Sequence, residues 1–225
     1  MRTIKTAVAM IVTSLFAATA YADNKVYIEQ AGNSNTVTIT QVGSTNRVGN
    51  SGLGNQSKIT GNTNTLTAMQ TGSGNILDYS VTGNGNTISK TVTGDTNQIT
   101  FTCGDGTTAC TNVTSTMTIQ GNMNTVTSTI KGENITNTLS ITGDSNTVNQ
   151  SILTSNSTSN ITILGDSNTF TSSMSGASGG TGHHLTATVT GTSNTHSVTQ
   201  GGTVNTTVAI VTTGNSNSVT VTTGN

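Results

Sequence analysis

The chain has 225 residues, no proline, no tryptophan, 3% aromatic and 7% charged residues, and a formal net charge of −1. Asn, Thr, Ser and Gly make up more than half of it, whereas an ordinary soluble domain carries about a quarter charged residues. Seven basic residues exclude an electrostatic nucleic-acid binder, and three His with eight carboxylates leave little material for acid–base catalysis or a metal site. Low hydrophobicity without high net charge or proline does not read as disorder, and the Thr, Val and Ile content points to strands.

The first predicted element is a leader. Arg2 and Lys5 form a basic start, residues 7–18 are a short apolar run, and Ala20, Tyr21 and Ala22 fit an A-x-A cleavage site. The run is too short to span a bilayer, and no other segment comes close, so no membrane insertion is expected. Residues 1–22 are therefore expected to be removed on export, leaving 23–225 as one repeat domain.

From there on, G-x-x-N followed two places on by an apolar residue recurs along the chain. The copies are Gly32 with Asn35, Gly43 with Asn46, Gly61 with Asn64, Gly72 with Asn75, Gly83 with Asn86 and Gly94 with Asn97. They continue with Gly121 and Asn124, Gly143 and Asn146, Gly165 and Asn168, Gly191 and Asn194, Gly202 and Asn205, and Gly214 and Asn217. Most steps are about 11 residues, and a fixed period over a whole domain marks a solenoid. Between turns the pattern alternates: Val37, Ile39 and Gln41 point one way, Thr36, Thr38 and Thr40 the other. Leu77, Tyr79 and Val81 behave alike, as do Ile99, Phe101 and Cys103. Period two over five or six residues is a half-buried strand, while Gly and Asn supply the tight turn.

The expected fold is an all-β, two-sheet solenoid of about nine 22-residue strand–turn–strand–turn coils, about 43 Å long at ~4.8 Å per coil. Val126, Val148 and Phe170 should stack in one inward column, and the turn Asn residues in amide ladders. One edge should carry Gly32, Gly52, Gly72, Gly94, Gly121, Gly143, Gly165, Gly191 and Gly214. The other should carry Gly43, Gly61, Gly83, segments 103–112, 132–137, 154–160 and 176–183, and Gly202, with all the altered turns on that one edge. Lys90 falls on an inward offset, and a bulge that turns it outward is expected in preference to a buried ion pair.

Cys103 and Cys110 flank a short insertion in an exported chain and are expected to form a disulfide. His183, His184 and His196 lie at opposite edges and make a poor metal site, His183 taking the place of a turn Asn. Asp95, Asp144 and Asp166 follow the turn Gly and are read as solvated turn residues, with weak calcium binding as the alternative for the last two. No nucleophile–base constellation, phosphate loop or zinc spacing is present, so neither an enzyme nor a cofactor is expected.

The units resemble the curlin repeat of bacterial curli fibres, Q-x-G-x-G-N with a small or apolar residue two places on. Gln70, Gly72, Gly74 and Asn75 follow that pattern in full. Gln30 with Gly32 and Asn35, Gln41 with Gly43 and Asn46, and Gln200 with Gly202 and Asn205 follow it with the second Gly replaced. The resemblance implies a secreted, cell-surface subunit of an extracellular amyloid used in adhesion and biofilm matrix, its partners being further copies of itself and a nucleator or secretion partner. This chain has more repeats than a typical subunit, uses G-x-x-N at both turns of a coil, and has an internal Cys pair. Independently, neither end of the predicted solenoid carries a proline, a helix or dense charge, so open strand edges should pair end to end. Two other functions fit a solenoid: a discrete adhesin or viral-fibre receptor-binding rod using the altered edge, and an ice-binding rod using its outward Thr rows.

Overall fold

The structure is a computed structural model that describes residues 9–15, 23–50, 57–176 and 182–224. The predicted cleavage site, Gly52 and residues 177–181 lie outside the described residues. Among the described residues every regular element is a strand, and all the pairings are parallel between successive coils. The front sheet runs Ala9–Leu15, Thr36–Ser44, Thr65–Ser73, Thr87–Thr93, Thr114–Gln120, Thr136–Thr142, Thr158–Thr162, His184–Val189 and Thr207–Thr212. The back sheet begins with two interrupted levels, Lys25–Val26 with Ile28–Ala31 and Arg47–Val48 with Ser57–Thr60. It continues through Ile76–Asn84, Gln98–Cys103, Thr125–Ile130, Thr147–Ile152, Thr169–Met174, Thr195–Gln200 and Ser218–Thr223. Two-residue pairings at Cys110–Thr111 and Gly132–Glu133 extend it into one edge. The result is the two-sheet β-solenoid that the repeat predicts, with eight coils and a last strand.

Strand alternation sets the core. In Thr36–Ser44 the buried residues are Val37, Ile39 and Gln41, and in Ile76–Asn84 they are Leu77, Tyr79 and Val81. Parallel in-register pairing then repeats each inward position one coil on, so Val126, Val148 and Phe170 stack as expected. Each such Val, Ile or Phe contributes roughly 1.5–3 kcal/mol by leaving water, which a thin core can collect only by repeating it in every coil.

Lys90 corrects the expectation. It stays in register on Thr87–Thr93, paired between Ala68 and Met117, and is fully buried, with no bulge and no ion pair. Small Ala68 leaves room on one side, and the side chain crosses the core to lie over the Phe101 ring of the back sheet, with Nζ 3.9 Å from its centroid.

The turns share one geometry: Gly at φ near +110°, then a free position, then a left-handed residue, then Asn. Ser34, Thr96, Met123, Ser145 and Ser193 hold φ of 55–59° at the third position. In Gly72-Ser-Gly74-Asn75 that place is taken by Gly74, at φ 70°. The second Gly of the repeat pattern thus sits where a side chain is strained. The first Gly answers a different need, close approach. A Cβ on Gly94 would lie 2.0 Å from the Gly121 carbonyl oxygen of the next coil. Gly94→Ala is therefore expected to destabilise the fold by about 2 kcal/mol or more, against no measurable effect for Gly106→Ala, whose Cβ would meet nothing within 4 Å. Urea unfolding of the two variants checks this.

The edge assignment is corrected for the first coil. Gly49 N donates to Leu77 O and Tyr79 N donates to Ser57 Oγ, so Gly49 and Ser57 belong to one level of the back sheet. Gly32 consequently stacks on Gly61 and Gly43 on Gly72, the reverse of the expected edges. The uniform edge holds Gly43, Gly72, Gly94, Gly121, Gly143, Gly165, Gly191 and Gly214. The altered edge holds Gly32, Gly61 and Gly83, then Cys110, Gly132, Ser155 and His183. The four altered turns do share that edge.

Candidate functional site

On the uniform edge the turn Asn residues form a continuous ladder. Asn75 donates from its backbone N and its Nδ2 to Asn46 Oδ1, each at 3.0 Å, and Nδ2 also donates to the next coil's Gly94 O at 2.6 Å. The same set repeats at Asn97, Asn124, Asn146, Asn168 and Asn194, and Asn217 closes the run on Asn194 Oδ1 at 2.9 Å. Buried amides are thereby satisfied coil to coil, which lets so polar a sequence keep an ordered interior. Sequence reasoning missed the first rung. Asn46 N donates to Asn24 Oδ1 at 2.9 Å, and Asn24 Nδ2 donates to Gly43 O at 3.0 Å. The spacing of Asn24, Val26, Ile28 and Gln30 repeats that of Asn35, Val37, Ile39 and Gln41, but without a Gly before it.

A second row runs outside the first and in the opposite sense. Asp95 N donates to Asn122 Oδ1, Asn122 N to Asp144 Oδ1, and Asp144 N to Asp166 Oδ1, at 2.6–2.8 Å. Ser73 N donates to Asp95 Oδ1 at 2.7 Å, so the three Asp side chains are backbone acceptors rather than merely solvated turn residues. Each turn is held by the coil before it through Asn and by the coil after it through Asx. The Gln residues brace the turns: Gln70 Nε2 donates to Asn75 O, Gln30 Nε2 to Asn35 O and Gln200 Nε2 to Thr206 O. Gln41 instead donates to Gln70 Oε1 at 2.8 Å.

The altered edge starts the same way and then changes. Asn35, Asn64 and Asn86 form three rungs, and Val113, Ile135, Ser157, His183 and Thr206 take the following places. Asn205 is not a rung. It is exposed, and Thr206 occupies the level, its N donating to His183 Nδ1 at 3.3 Å. His183 therefore does replace a turn Asn. His196 lies apart from it in the core, stacked on Phe170 and hydrogen-bonded to Thr212 Oγ1 at 2.8 Å, and burial lowers its pKa.

Cys103 and Cys110 are joined as expected. Inside the loop Asp105 accepts the Thr107 and Thr108 backbone N–H groups and pairs with Lys131 of the next coil. That Lys131 hydrogen bond, with the two amides, holds the Asp105 carboxyl well below the usual carboxylate range. Closing so short a loop is worth about 2 kcal/mol, so Cys103→Ser with Cys110→Ser should lower stability by that much in urea unfolding. A variant pair as stable as the parent would show that the loop is held by Asp105 alone.

A buried polar seam, unseen in the sequence, runs from Lys90. Its Nζ donates to Ser115 Oγ at 2.7 Å, Ser115 to Asn137 Oδ1 at 2.9 Å, Asn137 Nδ2 to Gln150 Oε1 at 2.7 Å, and Gln150 Nε2 to Ser159 Oγ at 2.5 Å. No carboxylate takes part in it, and burial lowers the Lys90 pKa to about 7.

The remaining surfaces are the two faces and the two ends. Outward rows of the front sheet from Thr36 to Thr162 are mostly Thr, with Ser, Asn160, Val42, Met69 and Gln120, and carry no charge. At one end, Thr207–Thr212 and Ser218–Thr223 each pair on one side only, and Val211 is 79% exposed. At the other, Lys25–Ala31 pairs on one side only, while Ala9–Leu15 lies on the edge of Thr36–Ser44. Among the described residues no group of three or more His, Cys, Asp and Glu could hold a metal.

With this geometry in hand, the family model for the curlin associated repeat matches residues 22–43, the first coil, which contains Gln30, Gly32, Asn35, Gln41 and Gly43. Gln70 to Asn75, the segment that follows the pattern in full, lies outside the match. No curated protein matches the chain, and no solved structure does.

Proposed function

We propose that the chain is the structural subunit of an extracellular, curli-like fibre that grows end to end after residues 1–22 are removed. The curlin-associated repeat and the β-solenoid fit such a subunit, and the observation that carries the reading is the continuous Asn ladder running between two open strand edges. Asn217 Oδ1 accepts no hydrogen bond within the described chain, though every earlier rung from Asn24 onward accepts one. An open edge of this kind is a template for another chain. The partners are further copies of the same chain, with a nucleating or secretion partner at the start, and the setting is the cell surface and its matrix. No catalytic role is proposed.

The test is to let the exported chain stand at neutral pH and follow it by thioflavin T fluorescence and electron microscopy. Unbranched fibres that bind the dye are expected. A monomer that stays soluble for days with no dye binding contradicts the reading.

The front face favours a second reading, ice binding. One outward row, Thr36, Thr65, Thr87, Thr114, Thr136 and Thr158, is Thr at every coil, and Lys90, expected to turn outward on this face, is inside. Thr hydroxyls there repeat at about 4.8 Å between coils and about 6.7 Å along a strand. Thermal hysteresis of the soluble monomer, lost in Thr116→Lys, would support it.

A further inference from the structure

We infer that successive subunits of the fibre are related by a half turn about its axis, so that the back sheet of one copy continues the front sheet of the copy before it. This rests on the fibre reading and on a subunit made of residues 23–225.

Parity is the first argument. From Lys25 on, the described solenoid both begins and ends on the back sheet, which has nine levels. The front sheet, without Ala9–Leu15, has eight. Stacked without rotation, Ile28–Ala31 of the next copy would meet Ser218–Thr223 and bring together Gln30 Oε1 and Thr223 Oγ1, neither of which has a partner within the chain. The front strands Thr207–Thr212 and Thr36–Ser44 would then face each other across an empty level, their backbone groups unpaired in a slot one strand wide. One side-chain hydrogen bond does not offset a strand's worth of lost ladder bonds at about 1 kcal/mol each. A half turn closes both sheets at once and keeps every pairing parallel.

Register is the second argument. With the half turn, Val26 of the next copy lies on Val208, Ile28 on Ile210 and Gln30 on Thr212. In the other sheet Val37 lies on Val219, Ile39 on Val221 and Gln41 on Thr223. Outward, half-buried Tyr27 lies on Ala209 and diagonally across from exposed Val211, whose direct partner is Glu29, and an aromatic ring reaches such a diagonal neighbour.

The ladder is the third. A rung needs an Asn amide after it and a Gly carbonyl three residues before that Asn. The half turn offers Asn217 both, Asn35 and Gly32 of the next copy, and the uniform ladder runs on through Asn64 and Asn86. Without rotation Asn217 would meet Asn24, and the carbonyl it needs belongs to residue 21, which is gone.

Helical reconstruction of fibres grown from the exported chain, its N terminus first read by sequencing, decides the matter. The Cys103–Cys110 loop is expected to project alternately from the two sides of the fibre, repeating on each side every two subunits, about 82 Å. Loops on one side only, at about 43 Å, would overturn the half turn while leaving the fibre reading intact. Failure to form fibres removes the fibre reading itself, and the half turn with it. Deleting residues 214–225 leaves eight levels in each sheet, and its fibres should carry all loops on one side at about 38 Å. Alternation in that variant would also overturn the inference.

Discussion

Asn124→Ala is expected to destabilise the solenoid by about 3–5 kcal/mol, read as a shift in the urea midpoint of the freshly refolded monomer. The side chain donates to Asn97 Oδ1 at 3.0 Å and to Gly143 O at 2.8 Å, and accepts from Asn146 N at 2.9 Å and Asn146 Nδ2 at 3.1 Å. Truncation leaves two buried backbone groups without these partners, the Asn146 N–H and the Gly143 carbonyl, at roughly 1–3 kcal/mol each, and takes away side-chain bonds as well. Outward Thr116→Ala touches none of this and should stay within about 0.5 kcal/mol of the parent. Asn124→Asp is the sharper variant. It keeps the acceptor and loses both donors, so it should fall below the parent. Equal stability of all three would show the ladder to be an ornament of the turns.

Lys90→Met is expected to stabilise the chain at pH 7 and to flatten its pH profile. The amine is fully buried with no carboxylate near it, and only Ser115 Oγ and the Phe101 ring receive its charge. Its folded pKa, lowered to about 7 from 10.5, means that the unfolded chain holds the proton more tightly. The parent therefore pays the full penalty below pH 7 and regains stability as pH rises from about 7 towards 10.5, by roughly 3 kcal/mol at pH 9.5. Met keeps the length and apolar stem, and leaves Ser115 Oγ still donating to Asn137 Oδ1. A midpoint that rises with pH in the parent and is level in Lys90→Met is the expected pair of results. A parent with no slope between pH 7 and 9.5 would mean that the amine reaches water.

Much of this architecture was legible in the sequence because its turns are marked twice, by a Gly whose backbone touches the next coil and by an Asn that bonds to it. Alternation between those marks placed Val37, Ile39, Phe101 and Phe170 inward correctly. The edges were exchanged in the first coil because every Gly-x-x-Asn was counted as a turn, whereas pairing across the sheet puts Gly49 and Ser57 at one level. Asn205 misled in the same way: Gly202 and Asn205 keep the motif, yet Thr206 lies at the level of His183. Lys90 was placed on the right face but given the wrong fate, since the room that Ala68 leaves and the ring that Phe101 offers belong to other coils and the other sheet. The outer Asx row escaped notice for the opposite reason: its residues look like any polar turn until the coils are stacked.

In the proposed fibre the solenoid axis lies along the fibre axis. Mass per length of unstained fibres, measured by scanning transmission electron microscopy, tests that directly. Eight coils and a last strand at ~4.8 Å per coil predict one chain for about every 41 Å of a single filament. One chain for about every 4.8 Å, the value for flat chains stacked in register, would contradict it.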